Sequence, residues 1–234
     1  MSRLAIPPTC DAEPMQDPTH TATTLRPPPL PPGLPGFTDA PRFWERDTGR
    51  WTVKLLPGEC YVTRQDEAIV TVLGSCISAC IRDPDTGLGG MNHFMLPDRR
   101  ESFSGYPASG FNEINRYGCF AMESLINHLA RHGAQRQRLE LKVFGGGRIL
   151  KPMIDIGARN IAFIHSWART EGIRLASQDL GGIQPRKLMY FPATGRARVL
   201  KLPAIENRGI ADRELSYLEH LVEEPNEGQV EIFT

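Results

Sequence analysis

Residues 68–96 read AIVTVLGSCISACIRDPDTGLGGMNHFML, and the short apolar runs in this stretch set the fold class. The runs 68–73, 76–81 and 88–96 are bounded by Gly74-Ser75 and by Asp83-Pro84-Asp85-Thr86-Gly87. Apolar runs of this length between turn residues read as strands, and the last two, on either side of the Asp-Pro-Asp-Thr-Gly turn, read as a hairpin. With Pro84 and Asp85 at the tip of a tight hairpin, Cys76 faces His93 across the ladder. Directly opposed side chains share one face with Cβ atoms about 4.5–5.5 Å apart, close enough for an imidazole to draw the proton from a thiol. A slip of one residue would instead put them on opposite faces.

The segment Thr71-Val72-Leu73-Gly74-Ser75-Cys76 carries the chemistry of the stretch. A strand that stops at Gly-Ser and then presents a cysteine leaves backbone amides free beside the sulfur, which lowers the thiol pKa and can hold an oxyanion. Cys80 reads as a packing residue. Cys76, Cys80 and His93 lack a second closely spaced ligand pair to close a tetrahedron, so no metal is expected. Gly145-Gly146-Gly147 is followed by neither Lys-Ser nor Lys-Thr and lacks the spacing of a dinucleotide fingerprint, so it reads as a tight turn near the site. Gly181-Gly182 reads as another turn, and Arg186 and Lys187 after it as solvent-facing cations.

Outward from this stretch, further strands are expected at 51–55, 139–144, 173–177, 187–191 and 197–202. Helical periodicity places helices at 111–131, stopped by Gly133, and at 157–170, stopped by Gly172. A third, at 212–223, sets Leu215, Leu218, Leu221 and Val222 on an apolar side and acids opposite. More than six strands with two main helices argue for an α+β layered fold. Residues 1–41, with the run Pro27-Pro28-Pro29-Leu30-Pro31-Pro32, read as a proline-rich disordered tail. The organisation expected is therefore a tail over 1–41, one catalytic domain over 42–205, and an amphipathic helix with a polar end over 206–234.

Composition narrows the function. The chain has 234 residues and zero formal net charge, and its Lys and Arg are dispersed, so no nucleic-acid partner is expected. No stretch approaches the roughly 20 apolar residues of a membrane span, and the opening MSRLAIPPTC has no apolar core of signal-peptide length, so a cytoplasmic protein without membrane insertion is expected. Cys10, Cys60, Cys76, Cys80 and Cys119 are odd in number and irregular in spacing, and read as reduced thiols.

Leu73-Gly74-Ser75-Cys76 and Gly89-Gly90-Met91-Asn92-His93-Phe94-Met95-Leu96-Pro97 together resemble the CheD family, the chemoreceptor glutamine deamidases of bacterial chemotaxis. The resemblance continues in order through Tyr117-Gly118 with Ala121-Met122, Lys142-Val143-Phe144-Gly145-Gly146, Ile156-Gly157 with Arg159-Asn160, Asp179-Leu180-Gly181-Gly182 and Thr194-Gly195, spanning 56–202. It implies a three-layer α-β-β sandwich of mixed sheets. It also implies conversion of glutamines on methyl-accepting chemotaxis receptors to glutamate, with ammonia released through a cysteine thioester. Cys76 would be the nucleophile, His93 the base and Thr71 the residue that orients the imidazole, with no cofactor. A CheC-type phosphatase is a further partner the resemblance implies. The alternatives are a regulatory module for such a phosphatase and a glutamyl methylesterase.

Overall fold

The computed structural model describes residues 27–96, 110–149, 155–203 and 207–223. Ten strands form two sheets of five. In the first, β1 (Arg42–Glu45), β2 (Arg50–Lys54), β4 (Ala68–Leu73), β9 (Arg186–Phe191) and β10 (Arg196–Lys201) lie in that order. In the second the order is β3 (Cys60–Thr63), β6 (Leu88–Asn92), β5 (Ile77–Asp83), β7 (Glu140–Gly145) and β8 (Arg174–Leu180). Both sheets are mixed: β2 with β4 and β7 with β8 run parallel, and the remaining pairs are antiparallel. Helix α1 (Gly110–Arg131) lies along β3, β5 and β6, and α2 (Ile156–Thr170) along β5 and β8.

The second sheet is thus the middle layer, between helices and the first sheet, and its sequence reflects this. β5 is Ile-Ser-Ala-Cys-Ile-Arg-Asp, with six of its seven residues buried, because a strand covered on both faces has no solvent side on which to alternate. On α1, Met122, Leu125, Ile126 and Leu129 recur at helical spacing and are buried, and Gly133 at φ +94° follows its end. Gly118 lets α2 approach: a Cβ there would lie 2.4 Å from the Phe163 ring. The Asp155 carboxylate caps α2 by accepting the Ala158 amide at 2.9 Å.

The expected strands and both main helices are present, and several details differ. β1 and β3 were not expected, since four residues are too few to establish an alternation. The hairpin loop spans Pro84 to Gly87, with Asp83 paired to Leu88, so the ladder is shifted by two residues from the tight form. A two-residue tip of the preferred type needs positive φ at both positions, which Pro84 cannot adopt; the longer loop places Gly87 there, at φ +67°. The proline-rich segment, over its described part 27–41, lies against the domain. Trp51 donates to the Pro28 carbonyl at 3.2 Å, Arg42 to the Pro31 carbonyl at 2.7 Å, and Phe37 is buried edge-on to Tyr61. Residues 1–26 of the expected tail lie outside the described residues. Arg186 is not a solvated cation: it is 1 % exposed, paired with Asp179 and bonded to the Gly181 carbonyl. The third helix, α3 (Asn207–Glu223), starts five residues before its expected position. Among the described residues no helix is long and apolar enough to cross a membrane.

Gly145 ends β7 at φ +113°, and a Cβ there would lie 2.1 Å from the Cys76 carbonyl oxygen. Gly145→Ala is expected to destabilise the fold by about 2–3 kcal/mol. Gly87→Ala has open space around it and only the cost of its positive φ, about 1–2 kcal/mol. Urea unfolding of the two variants measures the difference.

Candidate active site

β4 belongs to the first sheet and β5 to the second, so Gly74-Ser75-Cys76 is where the chain crosses the seam between them. A crossing residue has no ladder partner, and its backbone groups must be satisfied otherwise. All three carbonyls are tied down. Gly147 donates its amide to Gly74 O at 2.6 Å, Gly146 to Cys76 O at 2.7 Å, and Asn160 Nδ2 reaches Ser75 O at 2.7 Å. The triple glycine, expected as a tight turn, instead ends β7 and continues as irregular backbone that holds the crossing, and its residues need special backbone freedom: Gly146 is at φ +66°.

The three amides of the crossing point to one acceptor. Glu214 of α3 takes Gly74 N at 2.9 Å and Cys76 N at 3.3 Å on Oε1, and Ser75 N at 2.9 Å on Oε2. Ser75 Oγ donates to the same Oε2 at 2.6 Å. The amides expected to be free beside the sulfur thus exist as a nest, filled by a carboxylate.

His93 follows β6, with its backbone held by Glu59 O at 2.9 Å and Gly58 N at 2.7 Å. Its Nδ1 lies 2.8 Å from Thr71 Oγ1, joining the two sheets through their side chains. The Thr71 hydroxyl donates its one proton to the Leu55 carbonyl at 2.9 Å, so towards His93 it accepts. The proton on the neutral ring consequently sits on Nδ1, and Nε2 carries the lone pair. That Nε2 is buried and has no hydrogen-bond partner. Burial lowers the His93 pKa to about 3, with the Leu55 carbonyl opposing the shift, so the ring is neutral near pH 7. A small cleft lined by Gly58, Cys60, Asn92, Tyr117 and Ser124 adjoins His93.

The hairpin register changes the relation of the two expected residues. Ile77 pairs with Phe94, which puts Cys76 across from Met95, whose sulfur lies 3.7 Å from Sγ. Cys76 and His93 are therefore diagonal rather than directly opposed. Because the shift is two residues, the pleat parity needed for a shared face is kept. The thiol pKa is also not lowered: burial first, then the charge and hydrogen bond of Glu214, push it well above its ordinary value. Cys76, Cys60, Cys80 and Cys119 are free thiols.

Three further residues shape the site without having been singled out. Asn160, fully buried, holds Ser75 O and also accepts the Leu96 amide at 2.9 Å. Asn92 accepts the Ala79 amide at 3.0 Å and donates to the Ala121 carbonyl at 3.0 Å, locking β5 and α1 beside His93. Both stand in quoted motifs, where a buried polar side chain amid apolar neighbours was the available signal. Glu214 gave a misleading one, since the periodicity put acids outward and Leu215 inward. Among the described side chains of α3 it is Ile210 and Glu214 that are buried, and Leu215 is 46 % exposed; Leu218, Leu221 and Val222 lie outside the described side chains. Four hydrogen bonds to one carboxylate outweigh the burial of one leucine.

Fold and site together define a class: a three-layer α+β sandwich with a buried thiol and a hydroxyl-fixed neutral imidazole at the seam of its sheets. Residues 95–201 match the family described as CheD chemotactic sensory transduction. A protein of Halorhodospira halophila named probable chemoreceptor glutamine deamidase CheD is 50 % identical over 204 residues, covering 87 % of this chain and 94 % of that one. Proteins of the same name from Saccharophagus degradans and Hydrogenovibrio crunogenus are 48 % and 51 % identical, over 87 % and 79 % of this chain and 94 % and 95 % of theirs. The chain belongs to the CheD family.

The neutral, buried imidazole predicts a pH dependence of folding. The unfolded state binds the His93 proton near pH 6.5 and the folded state only near pH 3, so this contribution to stability is complete above 6.5 and is lost as pH falls towards 3. Within that window stability should fall by up to about 1.4 kcal/mol per pH unit on account of this group. Denaturant unfolding between pH 7 and pH 4 should show a shallower decline in His93→Gln than in the wild type.

Proposed function

We propose that this protein deamidates glutamine side chains of methyl-accepting chemotaxis receptors, with Cys76 as nucleophile, His93 as proton-transfer base and Thr71 as the positioning residue of the imidazole. The single observation that carries this reading is the contact of Thr71 Oγ1 with His93 Nδ1 at 2.8 Å, which sets the tautomer of the ring. Thr71 holds Nδ1–H, leaving the Nε2 lone pair unpartnered on the same hairpin as a thiol flanked by three convergent amides. The names of the relatives support the substrate.

In this reading His93 Nε2 takes the thiol proton as Sγ attacks the carboxamide carbon. The oxyanion that forms is held by the amides of residues 74–76, each donor of this kind being worth about 2.7–4 kcal/mol. The imidazolium passes its proton to the departing ammonia, and a thioester remains on Cys76. Water, deprotonated by the same nitrogen, adds to the thioester; the thiolate leaves, and a glutamate carboxylate is released. Each event adds one negative charge to a receptor helix in the cytoplasm. A CheC-type phosphatase is a second partner within this reading, tested by co-purification.

Incubation of the purified protein with a receptor cytoplasmic fragment, read by ammonia release and by the mass shift from amide to acid, tests the reaction. Cys76→Ala should release none. His93→Ala should lose about 10²-fold or more in kcat. Thr71→Val, which removes one hydrogen-bond partner of the ring, should lose about tenfold in kcat with little change in KM. Ammonia from wild type and Cys76→Ala alike would end the cysteine mechanism. Methanol from an esterified fragment, without ammonia from the amide, would make the enzyme a methylesterase instead.

A further inference from the structure

The amides that the proposed reaction needs are already occupied by the chain itself. Glu214 is 3 % exposed, and among the described residues its carboxylate is bonded to the three amides of the crossing and to Ser75 Oγ. Its position on α3 is fixed at both sides along one helix face. Ile210, one turn before, is buried, and Tyr217, about one turn after, bonds to the hydroxyl of Tyr117 on α1. Tyr217 also lies over Gly58, where a Cβ would come 2.8 Å from its hydroxyl. With α3 seated, Cys76 is 0 % exposed and His93 2 %, so a glutamine carried by another protein cannot meet the sulfur.

We propose that α3 is an internal product mimic that inhibits this enzyme, with Glu214 seated in the oxyanion donors, and that the face it covers is the docking surface for the glutamine-bearing helix of the substrate. The chemistry of the occupant argues for this. Glutamate has the length of glutamine and is what the reaction leaves behind, and here it is presented from a helix. A carboxylate also suits the nest better than the amide would. Both of its oxygens accept, whereas the –NH2 of a glutamine would face an N–H donor at one of the two positions. Substrate therefore competes with α3 for one surface, and the apparent affinity is reduced by the fraction of molecules in which α3 is undocked.

The inference rests on the deamidase reading for the identity of the site, and two assays on the full-length chain separate them. The first follows alkylation of Cys76 by iodoacetamide, located by peptide mass and needing no substrate. The second follows deamidation of the receptor fragment below saturation. Glu214→Ala should be alkylated at Cys76 and should deamidate about tenfold faster than wild type or more, the second gain appearing as a lower KM. Glu214→Gln, which keeps the side-chain size, should fall between the two and serves if the alanine variant does not fold. Active wild type with neither rate raised in either variant, or with deamidation lowered, overturns self-inhibition and leaves the deamidase reading intact. Faster alkylation of the variant with no deamidation by any form overturns the deamidase reading and leaves only occlusion by α3.

Discussion

A strand that changes sheets leaves its backbone without a ladder at the point of crossing, and here that point is Gly74-Ser75-Cys76. The surrounding structure satisfies the acceptors and gathers the donors. The amides of Gly146 and Gly147 and the carboxamide of Asn160 take the three carbonyls, which turns the three N–H groups to one side. Little substitution is tolerated in this packing. A Cβ on Gly74 would lie 2.1 Å from Ile149, and one on Gly157 would lie 2.5 Å from the Gly146 carbonyl that α2 must approach. Three buried donors without partners would cost about 1–3 kcal/mol each, so an anion or its equivalent is the natural occupant of the nest.

The imidazole depends on the same seam from the other side. Thr71 is in the first sheet and His93 at the end of β6 in the second, so their bond exists only when the sheets are stacked. The hydroxyl acts by having a single proton and giving it to Leu55 O, which leaves only an acceptor for the ring. Valine in that place would pack as well and would leave either ring nitrogen free to hold the proton.

Burial of thiol and imidazole favours their neutral forms, and the carboxylate of Glu214 adds to that for the thiol. Helix α3 thus affects the site twice, by filling the donors and by placing negative charge beside the sulfur. With α3 in place the thiol is held neutral by electrostatics and is also shielded from solvent.

The amino-acid sequence by itself determined most of the elements and pointed to Cys76 and His93 as the candidate pair. Runs such as 68–73 and 139–144 are local patterns, the periodicity of α1 and α2 needs no partner to be read, and Cys76 and His93 stand out by the residues beside them. It misplaced what depends on how those elements meet. The register of the hairpin turned on whether Pro84 sits at a two-residue tip or opens a four-residue loop, a choice governed by φ at Gly87. The burial of Glu214 on α3 turned on three amides more than a hundred residues away along the chain, which no periodicity within the helix encodes. Asn160 and Glu214 are ordinary polar residues of helices until the crossing strand is set against them. Local propensity and pattern are properties of neighbours in the chain, whereas the partners of a buried polar group are chosen by the packing of distant segments, and that packing was decided only in the tertiary structure.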